Sequence, residues 1–206
     1  MPRVPILGPG KAQLYHRHEG GLISRALGTA VHAFFEELAR LRETGDWQTA
    51  LASLQHHEPR IAAQIRASGI ASSQAAQIAA NALQLTLNAS HDPIAQWILS
   101  PRPDAESEAR WSGIVSGATN DIRVDRVFHA GLIPQSEGQA AWWIIDYKTA
   151  HSENLDGRSA LAQLRPQFAP QLESYASVLR NLYGQDAVIR AGLYYPRMLL
   201  LDWWEL

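Results

Sequence analysis

One apolar segment of the chain ends in a carboxylate and an ammonium group, which are side chains that can act on a charged substrate. The segment "WWIIDYKTA", residues 142–150, starts with four large apolar residues and continues to Asp146 and Lys148 without a turn residue. This composition predicts a buried β-strand, and alternate side chains of a strand point to the same face. The strand therefore places a carboxylate beside an ammonium group at its end.

Two further segments upstream and one downstream carry polar residues within apolar patterns. His32 lies in "GTAVHAFFEE" and Asp125 in "RVDRV", while "QLESYA" contains Gln171 and Tyr175. The apolar spacing predicts helices around the histidine and the glutamine, and a strand around the aspartate. Gln171 and Tyr175 are four residues apart, so they share one helix face.

These residue types suit the hydrolysis of phosphodiester bonds with a hard cation. Carboxylates bind Mg²⁺, and one imidazole ligand is better tolerated by Mn²⁺. Asp125 and Asp146 lie on consecutive strands that we expect to pair, so their carboxylates can converge on one ion, with His32 reaching it from a packed helix. Lys148 can hold the attacking water and offset charge on the phosphate. The glutamine–tyrosine pair can reach a phosphate or a sugar.

Each residue alone has a simpler structural interpretation. An Asp-x-Lys pair at a strand end is usually an exposed ion pair, a helical histidine is usually structural, and Asp125 has arginine neighbours with which it can pair at the surface. Gln171 and Tyr175 alone would be helix surface and helix core. These residues occur together, in the expected order and on the expected elements. Their joint occurrence favours a common functional site over separate structural roles. For "QHHE" at 55–58 we expect a solvated face, and for the tryptophan pairs at 142–143 and 203–204 strand packing rather than base stacking.

Composition limits the class of protein. The chain has 206 residues, of which 46% are hydrophobic and 18% charged, which suits one globular domain. It contains no cysteine, which excludes disulfides, a thiol nucleophile, a Cys-ligated zinc site and an iron–sulfur cluster. No apolar run approaches the ~20 residues of a membrane span, and no signal peptide is recognisable, so a cytoplasmic protein without membrane contact is the default expectation. The net charge of −2 predicts weak DNA affinity without a partner.

The order of elements predicts an α/β fold: a mixed central β-sheet flanked by helices, with an N-terminal helical segment. We expect residues 1–20 to be a disordered N-terminal segment and residues 21–206 to form a single domain. Its helical part spans 21–100, and its sheet core spans 106–206 and includes a helix at 165–184. We expect "GATN" to form a turn between the first two strands and residues 151–163 a polar loop. Strand alternation predicts one common face for four residues of the second strand: Arg123, Asp125, Val127 and His129.

The motifs "GTAVH", "RVDRV", "IIDYKTA" and "QLESYA" together resemble the RecB-type nuclease domain of the PD-(D/E)XK superfamily. More narrowly, they are similar to the C-terminal nuclease domain of UvrD/AddA-type helicase–nucleases, over about residues 20–200. The resemblance implies a restriction-endonuclease-like core. It implies that the metal ligands are His32, Asp125, Asp146 and the backbone carbonyl of Tyr147. It also implies that Asp125, Asp146 and Lys148 are catalytic and that Gln171 and Tyr175 bind DNA. Glu108, in "SEARW", matches an acid often found at the start of the first strand and is a further candidate.

The resemblance implies a Mg²⁺- or Mn²⁺-dependent deoxyribonuclease, of exonuclease type, that acts in double-strand-break repair and recombination. Its partners would be DNA, as a single strand or a duplex end, and a UvrD-type helicase motor in cis or in trans. The chain has no Walker A motif, so we expect either an excised domain or a stand-alone nuclease, and the abrupt start before the histidine helix makes excision the favoured expectation. Two alternatives stay open: a catalytically silent DNA-binding or scaffolding module of the same fold, and a free-standing, phage-like exonuclease.

Overall fold

The computed structural model describes residues 21–115, 118–150 and 157–206. In this part of the chain a helical N-terminal half precedes a sheet whose strands are interrupted by one long helix. The elements are α1 (Leu22–Thr44), α2 (Trp47–Leu54), a 3-10 turn (Gln55–His57), α3 (Glu58–Ala67), α4 (Ser72–Ala89), α5 (Pro93–Ile98), β1 (Glu106–Val115), β2 (Ala118–Ala130), β3 (Ala141–Tyr147), α6 (Gly157–Tyr183), β4 (Ile189–Tyr195) and β5 (Leu200–Glu205).

The five strands form one mixed sheet in the order β1-β2-β3-β4-β5. Strands β3 and β4 are parallel, and the other neighbouring pairs are antiparallel. A parallel pair needs a long connection from one end of the sheet back to the other, and α6 supplies it. The predicted fold class, a mixed sheet flanked by helices with a helical N-terminal segment, is confirmed.

Each face of the sheet has its own apolar core. On one face, the stripe of α1 that includes Phe34, Phe35 and Leu38 packs with the other N-terminal helices against Phe128 and Trp143. On the other face, α6 packs through apolar residues such as Leu172 and Val178 against Val127, Ile144 and Leu193. The sheet is therefore the middle of three layers, and the end of β3 lies between α1 on one side and α6 on the other.

The alternation of β2 is interrupted at Asp125. Ile122 and Val124 belong to the core under α6, as alternation predicts, but Val127 belongs to that core as well. Phe128 packs in the opposite core, against the N-terminal helices. The predicted common face of Arg123, Asp125, Val127 and His129 is therefore wrong.

The neighbouring strand has an unusual conformation at the paired position. The pairs on either side of Glu108 in the β1–β2 register place it opposite Asp125, and its φ of 55° is in the left-handed region. A residue other than glycine rarely adopts this conformation, which departs from the extended backbone of a strand. The local break places the carboxylates of Glu108 and Asp125 near each other instead of at regular strand positions.

Helix α6 begins earlier than predicted. Its first residue is Gly157, so residues 157–163 are helical and not part of a polar loop, and Pro166 and Pro170 lie inside the helix. Proline favours the first turn of a helix, which makes Pro166 a plausible start, but the preceding "SALAQL" is rich in good helix formers. Strand β2 begins at Ala118, so residues 118–120 of the predicted "GATN" turn belong to the strand. The predicted disordered segment, residues 1–20, lies outside the described residues, as do 151–156 of the predicted loop.

Among the described residues, no helix is both long and apolar enough to cross a membrane.

Candidate active site

The first side of the candidate site joins α1 to the middle of β2 and the end of β3. His32 of α1 donates a hydrogen bond from Nε2 to the backbone carbonyl of Tyr147 at 2.8 Å, and its Nδ1 lies 3.3 Å from Oδ1 of Asp125. The other carboxylate oxygen of Asp125 accepts a hydrogen bond from the backbone N–H of Tyr147 at 2.8 Å. Phe35, three residues after His32 on α1, stacks on the Tyr147 ring with centroids 4.6 Å apart and so holds the helix against the strand.

Glu108 completes a three-membered group of metal-ligating side chains. His32, Glu108 and Asp125 each offer one ligand atom, and these atoms all lie within 4.8 Å of one another. The Glu108 carboxylate is also paired with Arg123, the residue two positions before Asp125 on β2. Among the residues that the structure describes, this is the one cluster of three or more such side chains that could hold a metal ion.

The second side of the site joins β3 to α6. Lys148 forms an ion pair with the carboxylate of Asp146 and donates a hydrogen bond to Oε1 of Gln171 at 3.4 Å. Its ammonium group also lies 4.5 Å from the centroid of the Phe168 ring. The side-chain amide of Gln171 donates in turn to the hydroxyl of Tyr175. The lysine is therefore held by a carboxylate, an amide and an aromatic face.

The two aspartates are both buried, but their pKa values shift in opposite directions. Burial raises the pKa of Asp125, but His32, the Tyr147 N–H and Lys148 more than offset burial, so its pKa lies below the usual range. Burial raises the pKa of Asp146, and repulsion from Asp125 raises it further, while Lys148 and His32 offset only part of the increase. The carboxylate of Asp146 thus has the greater need for an additional positive charge.

His32 carries the positive charge of the first side. Burial lowers its pKa, but the Asp125 carboxylate beside it has the larger combined influence and raises the pKa to about 9. Both ring nitrogens face acceptors, a carboxylate and a carbonyl, so the protonated imidazole stabilises this arrangement of oxygens. The same oxygens, with a deprotonated imidazole, are a donor set that fits a hard divalent cation.

The structure brings most of the predicted residues into direct contact. His32, Asp125 and the Tyr147 carbonyl form one group, to which Glu108 is added, while Asp146 is paired with Lys148 and lies outside the three-membered ligand group. Gln171 and Tyr175 contact each other on α6, as their spacing predicts. The histidines of "QHHE" are elsewhere: Nε2 of His57 lies 3.3 Å from Oε1 of Glu37 of α1, within the helical layer.

Sequence reasoning missed Phe168 and the partner of Glu108. Phe168 lies three residues before Gln171, so helical spacing alone could have placed it on the lysine-facing side of α6. The pairing of Glu108 with Arg123 has no comparable signal, because it depends on the register of β1 against β2 and on the unusual φ of Glu108.

A mixed sheet with helices on both faces, and acidic residues gathered where β1, β2 and β3 meet α1, defines an α/β domain with a candidate metal centre. The family model of the PD-(D/E)XK nuclease superfamily matches residues 11–200. The chain therefore belongs to the PD-(D/E)XK nuclease superfamily, whose members are nucleases that use divalent metal ions. No curated protein matches the chain significantly.

Proposed function

We propose that this chain is a metal-dependent deoxyribonuclease of the RecB type. It hydrolyses phosphodiester bonds as the nuclease domain of a helicase–nuclease that processes DNA double-strand breaks in the cytoplasm. The observation that carries the proposal is the convergence of the ligand atoms of His32, Glu108 and Asp125 within 4.8 Å, beside the Asp146–Lys148 ion pair. Membership of a nuclease superfamily supports the reaction class.

The proposed ligands of Mg²⁺ or Mn²⁺ are His32, Asp125, Asp146 and the Tyr147 carbonyl, with Glu108 as a further donor. When bound, such an ion polarises a phosphoryl oxygen and favours loss of a proton from the attacking water. The chain itself prepares the site by holding Asp125 ionised and by fixing the Tyr147 carbonyl with a hydrogen bond from His32.

Lys148 is the proposed electrostatic catalyst. Its ammonium group lies beside Asp146, where it can hold a water molecule and stabilise negative charge that develops on the phosphate. Gln171 restricts its position through the 3.4 Å hydrogen bond, and Phe168 covers it on one side. Gln171 and Tyr175 line the approach to the lysine and are the proposed contacts to the DNA backbone.

A helicase motor in cis or in trans is the proposed partner. The net charge of −2 supports a dependence on it, because a nuclease with little excess positive charge gains little affinity from phosphate contacts alone. The motor would supply the DNA strand to the site. The substrate in this proposal is a single strand or the end of a duplex.

Cleavage of end-labelled linear DNA tests the proposal. Single-stranded and duplex substrates are incubated with EDTA, Mg²⁺ or Mn²⁺ and with the wild type or Asp146→Ala. The matched control is Asp104→Ala, which removes a carboxylate that pairs with His129 instead of Lys148. We expect cleavage that requires metal, that is lost in Asp146→Ala and that is retained in Asp104→Ala.

Other outcomes separate the alternatives. If the folded wild type cleaves nothing with either metal, alone or with a helicase motor added, the chain is a catalytically silent DNA-binding module. Activity that needs no motor, from a protein that sediments as a ring, would identify a free-standing exonuclease. The ladder of labelled products would report the polarity of digestion.

A further inference from the structure

The acidic side chains of the candidate active site are each matched by a basic side chain. The pairs are Glu108–Arg123, Asp125–His32 and Asp146–Lys148. Of the three basic residues, only Arg123 has no part in the proposed reaction. A histidine can lose its proton and become a metal ligand, but an arginine keeps its charge at every physiological pH. A metal ion that binds Glu108 therefore meets a positive charge that deprotonation cannot remove.

Arg123 binds the same carboxylate that a metal ion would use. It lies two residues before Asp125 on β2, and its Nε donates a hydrogen bond to Oε2 of Glu108 on β1. The Glu108 side chain is only 11% exposed, whereas that of Arg123 is 46% exposed. Glu108 is also one of the three side chains whose ligand atoms lie within 4.8 Å of one another. The guanidinium group and a metal ion therefore compete for one carboxylate.

Two local costs fall on this ion pair. The φ of Glu108, 55°, lies in the left-handed region, which is unfavourable for a side chain of this kind. Arg123 stands directly opposite Arg110 in the β1–β2 register, and like charges in this relation destabilise a sheet. Backbone strain that persists in a folded protein is concentrated at functional sites. The position of both costs beside the metal-ligating cluster indicates that the pair has a role besides stability.

The position of Glu108 does not depend on Arg123. The strand pairs on either side of Glu108 in the β1–β2 register hold its backbone, so Arg123 mainly supplies charge. Burial raises the pKa of Glu108, and the hydrogen bond from Arg123 offsets part of this increase. In the metal-free protein Arg123 is thus the counter-charge of Glu108, which is the role that a metal ion takes when it is bound.

We propose that Arg123 weakens the binding of a divalent metal ion by competing for Glu108, and so sets the metal concentration at which the site fills. This inference rests on the proposed metal centre of the nuclease. Arg123 acts through Glu108 and does not touch the reacting atoms. Its removal leaves the Glu108 carboxylate to the metal ion and takes a positive charge away from the site, and both changes favour the bound ion.

Calorimetric titration of the full chain with Mn²⁺, without DNA and at one fixed pH, tests the proposal. We expect Arg123→Gln to bind Mn²⁺ about three- to tenfold more tightly than the wild type. The matched control is Arg110→Gln, because Arg110 is the exposed arginine opposite Arg123 and has no ion-pair partner among the described residues. We expect Arg110→Gln to change the affinity about twofold or less. Arg66→Gln, which removes an exposed charge of α3, should leave it unchanged.

A double variant separates competition for Glu108 from a general effect of charge. Glu108→Gln alone should weaken Mn²⁺ binding about tenfold, because it removes a charged ligand. In that background Arg123→Gln should change the affinity about twofold or less, because the carboxylate for which Arg123 competes is gone. Equal tightening by Arg123→Gln with and without Glu108 would overturn the proposal.

Two further outcomes of the titration contradict the proposal. Weaker Mn²⁺ binding by Arg123→Gln would show that Arg123 orients Glu108 for the ion, and equal effects of Arg123→Gln and Arg110→Gln would show no special relation to Glu108. Thermal unfolding in EDTA checks that each variant is folded. If Arg123→Gln is not, Arg123→Thr replaces it with the same expected result, since threonine is favourable in strands.

Separate measurements of binding and cleavage distinguish this proposal from the proposed function. We expect Arg123→Gln to reach half of its maximal cleavage rate at a correspondingly lower Mn²⁺ concentration. Tighter Mn²⁺ binding by Arg123→Gln, when the wild type cleaves no DNA, would support the competition and reject the nuclease. Metal-dependent cleavage by the wild type, with the same Mn²⁺ affinity in Arg123→Gln, would support the nuclease and reject the competition. If neither protein binds Mn²⁺, both proposals are rejected.

Discussion

The two sides of the candidate site hold equally buried aspartates in different ways. Asp125 is compensated by His32, by the Tyr147 N–H and by Lys148, and its pKa is lowered. Asp146 is compensated mainly by Lys148, stands beside the charge of Asp125, and its pKa is raised. Burial is the largest influence on both, so the balance of donors and neighbouring charges around each carboxylate decides the direction. We infer from this difference that the chain alone holds Asp125 ionised, whereas Asp146 needs a further positive charge, such as a bound cation, to be held in the same state.

The two sides are also held in place by different helices. The first is formed by α1 and β2, and the stacking of Phe35 on Tyr147 packs it into the helical core. The second depends on α6, which has Pro166 and Pro170 in its interior. A proline removes a backbone hydrogen bond inside a helix. Because the three-membered ligand group lies on the first side, we expect changes there to alter metal binding, and we expect changes at Lys148 or Gln171 on the second side to alter the rate of reaction.

The largest expected effect is on the second side. We expect Lys148→Gln to lower kcat by about 10²–10³-fold, because it removes a preorganised positive charge from the site. Affinity for Mn²⁺, measured by calorimetry, should stay the same or rise, because Lys148 no longer competes for Asp146. Arg66→Gln serves as the control for loss of a positive charge. If Lys148→Gln had the kcat of the wild type, Lys148 would have no part in the chemical step.

On the first side, we expect His32→Gln to weaken Mn²⁺ binding by about 10–100-fold, by analogy with the loss of groups around metal sites. Saturating Mn²⁺ should restore part of the activity, which it should not do for Lys148→Gln. The matched control is His57→Gln, since His57 also lies beside a carboxylate, that of Glu37. If both histidine variants bind Mn²⁺ equally well, His32 is a structural histidine.

A smaller effect is expected from Gln171, which acts through Lys148. Gln171→Ala should lower kcat about three- to tenfold, because the lysine loses the acceptor that restricts its position. Gln171→Glu keeps an acceptor oxygen and should retain more activity than the alanine variant. Gln163→Ala, which changes an exposed glutamine of the same helix, is the control. Equal losses in the alanine and glutamate variants would contradict this role.

The smallest expected effect is a pH dependence of stability in the metal-free protein. The pKa of His32 is raised from 6.5 to about 9, so its protonation stabilises the fold fully below pH 6.5, and this contribution is lost as pH rises through about 9. The Tm of the wild type in EDTA should therefore fall by a few degrees between these limits, relative to His32→Gln. Parallel Tm curves for the two proteins would show that His32 does not titrate in this range.

Much of the fold could be predicted from local patterns. The buried stripe of α1 and the apolar runs of β3 and β4 are visible as periodicity, and the strands occur in the predicted order. The start of α6 is predicted too late, because Pro166 is compatible both with a helix start and with a position inside a helix whose neighbours are good helix formers. The break in the alternation of β2 escapes prediction as well, because it coincides with an unusual conformation of Glu108 in another strand, for which the local pattern has no signal.

The sequence by itself determined the class of this protein: the types and order of His32, Asp125, Asp146 and Lys148, and the elements that carry them. Residue type and local periodicity are encoded within short segments, which makes them readable without a structure. Only the tertiary structure decided that Glu108 joins His32 and Asp125, that the two aspartates have opposite pKa shifts, and that Arg110 stands opposite Arg123. These relations depend on strand register, burial and long-range packing, which bring together residues that are distant along the chain.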